Sequence, residues 1–130
     1  MLYLEVDAHS PVPIYEQIMD GIQRLVREDR LVPGVFLPSV RQLAADLEIN
    51  PNTVARAYSL LEREGVLETA RRRGSRVAAT APARARQLLT SRVEEAAERV
   101  IRETAHLGID PDDLVKALAR RLGTSAGKDL

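Results

Sequence analysis

At 130 residues the chain has room for one small domain or for one small domain with a helical extension, which excludes a large multidomain enzyme. A hydrophobic fraction of 45% supports a packed core, and the absence of cysteine removes disulfides, thiol nucleophiles and cysteine-held zinc or iron–sulfur sites. The 19 Lys+Arg balance the 19 Asp+Glu, and this zero net charge taken alone argues against a nucleic-acid partner.

The opening Met1-Leu-Tyr-Leu-Glu-Val6 lacks the basic start of a signal peptide, and no apolar run reaches the ~18 residues of a membrane span. A soluble, cytoplasmic protein without membrane attachment is expected. Leu2, Leu4 and Val6 alternate with Tyr3 and Glu5, the pattern of a short half-buried strand. After Ser10-Pro-Val-Pro13, apolar residues at Tyr15, Ile18, Ile22, Leu25 and Val26 mark one face of a helix with Pro13 in its first turn. Val32-Pro-Gly34 breaks the chain. Ser39-Val-Arg-Gln42 has the form of a capping box, and Val40, Leu43, Ala44 and Leu47 continue it as a helix of about eight residues. Asn50-Pro51 supplies an N-cap and a proline at N1. Val54, Ala57, Tyr58 and Leu61 repeat the spacing, and Gly65 ends this third helix.

Two helices of these lengths joined by Glu48-Ile49, with Ile49 buried in the turn, predict a helix-turn-helix. Val66–Thr69 and Ser75–Ala78 then read as two short strands around Ala70-Arg-Arg-Arg-Gly74, a basic hairpin, so the whole predicts a winged helix-turn-helix domain over residues 1–80. Thr80-Ala-Pro-Ala-Arg84 reads as a linker. Beyond it Leu88/Leu89, Val93, Ala96/Ala97, Val100/Ile101 and Ala105 form the stripe of a long amphipathic helix ended by Gly108. Asp110-Pro-Asp-Asp113 starts a last helix whose face is Leu114, Val115, Leu118 and Leu122. The fold class is mostly α with a small β-wing, followed by a helical dimerisation tail over 81–130.

The third helix has the composition of a groove reader. Between Ile49 and Leu61 its only charge is Arg56, and its first turn carries Asn50, Asn52 and Thr53, side-chain types that bond base edges or phosphates. Asn50 is equally suited to capping the helix, and it is able to do both. Arg41, one turn into the preceding helix, is placed for a phosphate or guanine, against the alternative of a surface salt bridge worth ~0–1 kcal/mol. Arg71, Arg72, Arg73 and Arg76 surround Gly74 and Ser75 without an intervening acid, a basic wing suited to phosphates or the minor groove. No glycine-rich phosphate loop, paired histidines or nucleophile elbow is present, so neither an enzyme nor a cofactor is predicted. Capping accounts for Asp110, Asp112 and Asp113, leaving no metal site to nominate.

These stretches together resemble the GntR family of bacterial transcriptional regulators: Pro13-Ile-Tyr-Glu-Gln-Ile18, Pro33-Gly-Val-Phe-Leu-Pro-Ser-Val-Arg-Gln-Leu-Ala44, Thr53-Val-Ala-Arg-Ala-Tyr58, Leu61-Glu-Arg-Glu-Gly65 and Arg73-Gly-Ser75. The resemblance covers residues 11–79. Pro51 stands where many members have an arginine, and Ile49-Asn-Pro-Asn-Thr-Val54 with Leu107-Gly-Ile-Asp-Pro-Asp-Asp-Leu114 is similar to the YtrA subfamily. By position, the resemblance implies DNA contacts at Arg41, Asn52, Thr53, Arg56 and the wing around Gly74, with Arg72, Arg73 and Ser75 beside it. It implies double-stranded DNA as partner and a helical tail that makes a homodimer, for which the stripe nominates Leu89, Val93, Ala97, Val100, Ile101, Leu114, Leu118 and Leu122. The expected function is a sequence-specific regulator, in particular a repressor, on a near-palindromic operator. The alternative is a protein-interaction module that uses the winged helix and tail without DNA. The chain leaves room for a small-molecule effector, but no residue set points to one.

Overall fold

The computed structural model describes residues 2–123. In chain order these form α1 (Ile14–Arg27), α2 (Val40–Leu47), α3 (Pro51–Arg63), β1 (Leu67–Ala70), β2 (Gly74–Val77), α4 (Ala81–Ala105) and α5 (Pro111–Leu122), a mostly helical chain with one small antiparallel sheet. It divides into two compact units, Met1–Leu89 and Thr90–Leu130. Met1 and residues 124–130 of the expected tail lie outside the described residues.

In the first unit the core forms where helical periodicity stacks apolar side chains on one face. Ile18, Ile22, Leu25 and Val26 of α1 meet Leu43 and Ala44 of α2 and Val54, Ala57, Tyr58 and Leu61 of α3, with Val66, Leu67 and Val77 closing the hairpin side. Pro13 is the N-cap of α1, one residue earlier than the spacing predicts. Ser39 Oγ accepts from the Gln42 backbone N–H at 3.1 Å, but the Gln42 amide donates forward to Asp46 Oδ1 at 2.7 Å. Half of the capping box therefore forms, because the charge-assisted bond from Nε2 turns the Gln42 side chain toward Asp46 and away from the Ser39 N–H that its oxygen would accept from.

Three expectations are corrected. Leu2, Leu4 and Val6 do alternate in burial with Tyr3 and Glu5, yet they join no strand ladder. They pack against the helical core, and a side chain at Gly21 of α1 would meet Leu4 Cδ2 at 2.5 Å. Alternation records half burial, and a helix surface satisfies it as well as a sheet does. Ile49 is half-buried rather than buried.

The predicted linker at 80–84 is structured: α4 starts at Ala81, and Ala81 and Ala85 are fully buried in the core. Their small side chains permit close approach, which Thr80 Oγ1 donating to Gly65 O (2.7 Å) and Arg84 Nε donating to Glu64 O (2.8 Å) hold in place. Gly65, at φ +77°, is in the left-handed region that glycine enters without strain.

In the second unit, Asp110 Oδ1 caps α5 by accepting from the Asp112 N–H at 2.9 Å. Among its described residues, Ala119 is the one buried hydrophobic, whereas Val93, Val100, Ile101, Leu118 and Leu122 are exposed.

Candidate nucleic-acid interface

Helix α3 has two unlike faces. Val54, Ala57, Tyr58 and Leu61 are buried, so the residues between them, Asn52, Ala55, Arg56, Ser59 and Arg63, form an exposed stripe along the helix. No carboxylate lies on this stripe, and Thr53 sits half-buried at its margin. At the head of the helix Asn50 Oδ1 accepts from the Asn52 N–H at 2.8 Å. Capping is thus realised, and it fixes the backbone of the residue that heads the stripe. Ala55 and Ser59 escaped the sequence reading, which weighed residue types suited to base edges; their spacing from Asn52 was the available signal.

The approach to α3 is set by Tyr58. Its buried hydroxyl donates to Pro38 O at 2.8 Å, tying α3 to the segment directly before the Ser39 cap and hence to the start of α2. Arg41, exposed in the first turn of α2, has no ion pair among the described residues, so the salt-bridge alternative is not what holds it. Burial pushes the Tyr58 phenol well above its ordinary value of 10.0. The unfolded chain ionises this phenol near its ordinary value while the folded chain keeps the proton. The stabilisation is therefore fully present below about pH 10 and is lost as pH rises toward the folded value. In chemical denaturation, the stability gap between the native chain and Tyr58→Phe should narrow above about pH 10; parallel curves would contradict this.

The wing is the β1–β2 hairpin, paired Leu67↔Val77, Glu68↔Arg76, Thr69↔Ser75 and Ala70↔Gly74. A third edge, absent from the sequence reading, comes from the α1–α2 connection: Val77 N–H donates to Val35 O (2.9 Å) and Leu37 N–H to Ser75 O (2.9 Å). Each strand runs one residue away from its predicted position, to Leu67–Ala70 and Gly74–Val77. The tip is Arg71-Arg72-Arg73, all exposed, with Arg72 at φ +65° and Gly74 at φ +92°. An arginine in the left-handed region carries a conformational cost that glycine would avoid. The expected basic cluster loses one member here, because Arg76 Nε bonds Glu68 Oε1 at 2.6 Å across the ladder. The sequence reading counted only acids between the arginines and could not see the one opposite.

Arg56 lies over the ring of Tyr15, 3.9 Å from guanidinium carbon to centroid, and Arg73 lies 5.9 Å from the centroid of Phe36. A local basic face therefore coexists with zero net charge, since the acids nearest the end of α3 are engaged elsewhere. Glu62 bonds the Thr69 hydroxyl, and Glu64 accepts from Gln23 Nε2 at 2.9 Å.

The sequence profile of the bacterial regulatory proteins of the gntR family matches residues 14–77, from α1 through β2. The HTH-type transcriptional repressor YtrA of Bacillus subtilis (strain 168) is 36% identical over 111 residues, which span 85% of each chain. The chain belongs to the GntR family. A GntR-family transcriptional regulator from Listeria monocytogenes superposes with a TM-score of 0.71 at 31% identity, covering 88% of this chain and 98% of its own. The GntR-family transcription factor YtrA from Sulfolobus acidocaldarius gives 0.59 at 35% identity, covering 72% and 95%. This GntR protein is accordingly a transcriptional regulator with a DNA-binding helix-turn-helix and not an enzyme. Arg41, Asn50, Asn52, Thr53, Arg56 and the wing residues Arg72, Arg73, Gly74 and Ser75 all fall inside the matched span. No helix among the described residues is long and apolar enough to cross a membrane.

Proposed function

We propose that the chain is a homodimeric repressor that acts in the cytoplasm and places two α3 helices in successive major grooves of a near-palindromic operator. The observation that carries this reading is the exposed, carboxylate-free stripe of α3, headed by Asn52 beneath the Asn50 cap and accompanied by the arginine-tipped wing and by Arg41, which has no ion pair among the described residues. Asn52 and Thr53 meet base edges, while Arg41, Arg56, Arg72 and Arg73, with the backbone at Gly74 and Ser75, hold phosphates or the minor groove. Half-site centres then lie ~10 bp apart or at a related spacing. Repression is supported by the name of the Bacillus relative, which matches this chain through domain and tail alike.

Dimerisation is assigned to the tail. Leu89, Val93, Ala97, Val100, Ile101, Leu118 and Leu122 are exposed and Leu114 is half-buried, an apolar surface that a second copy of the same helices would cover.

Selection of random-sequence duplexes on the full-length chain supplies the operator, and gel shifts at fixed salt then test the groove assignment. Arg41→Ala and Asn52→Ala should each weaken binding to the selected duplex by about 1–3 kcal/mol. Asn52→Ala should also relax base preference, whereas Arg41→Ala should leave it intact if that arginine holds a phosphate. Native affinity in both variants would remove α3 from the groove.

A further inference from the structure

We infer that Tyr15, outside the helix-turn-helix, is a positioning residue for DNA binding: its ring is the platform that holds the Arg56 guanidinium in its bound orientation. The inference rests on the proposal that Arg56 contacts DNA. The chain has 3 Tyr and 1 Phe, so every aromatic placement is informative. Tyr58 is buried and bonded to Pro38 O, and Tyr3 is 70% exposed with no cation–ring contact among the described residues, but Tyr15 lies half-buried at the start of α1 directly beneath an arginine of α3.

At 3.9 Å from the centroid the Arg56 guanidinium is well inside the range of a cation–π contact, closer than Arg73 is to Phe36. Stacking occupies a face of the guanidinium and leaves the N–H donors around its edge for phosphate or base oxygens. Arg56 has no ion pair or hydrogen bond among the described residues, so the ring is the contact that orders it. An exposed arginine otherwise loses considerable rotamer freedom when it binds, and a ring that orders it beforehand reduces that loss. The Tyr15 hydroxyl donates to the adjacent Glu16 Oε1 at 3.2 Å, a bond the platform does not require. The ring alone is therefore the functional part.

A double-substitution cycle on the full-length chain tests this, with the duplex recovered by selection as probe and helicity and thermal midpoint measured for each variant. Tyr15→Phe should bind within about twofold of native, and Tyr15→Leu should lose about three- to tenfold. Arg56→Ala should lose affinity and lower the log–log salt slope by about one. In the Arg56→Ala background, adding Tyr15→Leu should cost nothing further. Should Tyr15→Leu lose its helical signal, Tyr15→Met, unbranched and ring-free, takes its place in the cycle. Native affinity in the ring-free variant overturns the inference, as does an equal loss with and without Arg56, or indifference to Arg56→Ala. A native chain that selects no duplex at all defeats the DNA-binding proposal instead, which separates the two failures.

Discussion

A chain carrying Val93→Glu together with Ile101→Glu is expected to sediment as a monomer and to bind a two-half-site duplex about 10²–10⁴-fold more weakly than the native chain. The two positions are 58% and 51% exposed, so neither substitution disturbs packing within a single copy. Their effect arises only if a second copy covers them, because a carboxylate buried against an apolar surface without a partner loses its hydration uncompensated. The large loss follows from connectivity. In a dimer the second reading head meets its half-site at an effective concentration set by the tail, and a monomer forfeits that term while keeping every contact of its own α3. Affinity for a duplex with one half-site should consequently stay unchanged. A dimer that persists in the double variant would show that the tail faces named here are not the interface.

Leu61→Ala is expected to destabilise the first unit by about 2–5 kcal/mol, read by urea denaturation with the m-value unchanged. Leu61 is fully buried in the cluster shared with Ile18, Ile22 and Val54, and truncating it removes apolar burial while leaving a cavity that helices cannot close without moving. Against a typical total of about 5–15 kcal/mol, this is a large share of the stability and lowers the temperature at which the fold is lost. The consequence reaches the interface, since the same helix carries the exposed stripe. DNA affinity should fall only near the unfolding transition, whereas Asn52→Ala lowers it at every temperature. A loss below about 1 kcal/mol would mean that the α1–α3 packing repacks readily.

Much of the local structure of the candidate interface was legible because its signals are local. Pro51 and Asn50 state where α3 begins, and Gly65 where it ends, through backbone geometry that depends on few neighbours. The 3-4 spacing of Val54, Ala57, Tyr58 and Leu61 assigns the buried face, and the polar stripe follows by exclusion. Elements that rely on distant partners were misread. Leu2–Val6 has the period of a strand but rests on a helix, and the small residues after Thr80 read as a linker although Ala81 and Ala85 fill the core. Small residues have the same composition in a flexible connection and in a close helix contact.

The sequence by itself determined the order of helices and hairpin, the capped start of α3, the carboxylate-free character of its exposed face and the apolar tail, all consequences of residue type, periodicity and capping along the chain. Only the tertiary structure decided which arginines are available. Arg76 is paired with Glu68 across the sheet, Arg56 is stacked on Tyr15 of another helix, and Arg41 stands clear of the described acids. Charge–charge and charge–ring attractions act through space over a few ångströms, so side chains far apart in the chain settle each other's state. A net charge of zero summed along a sequence carries no trace of that arrangement.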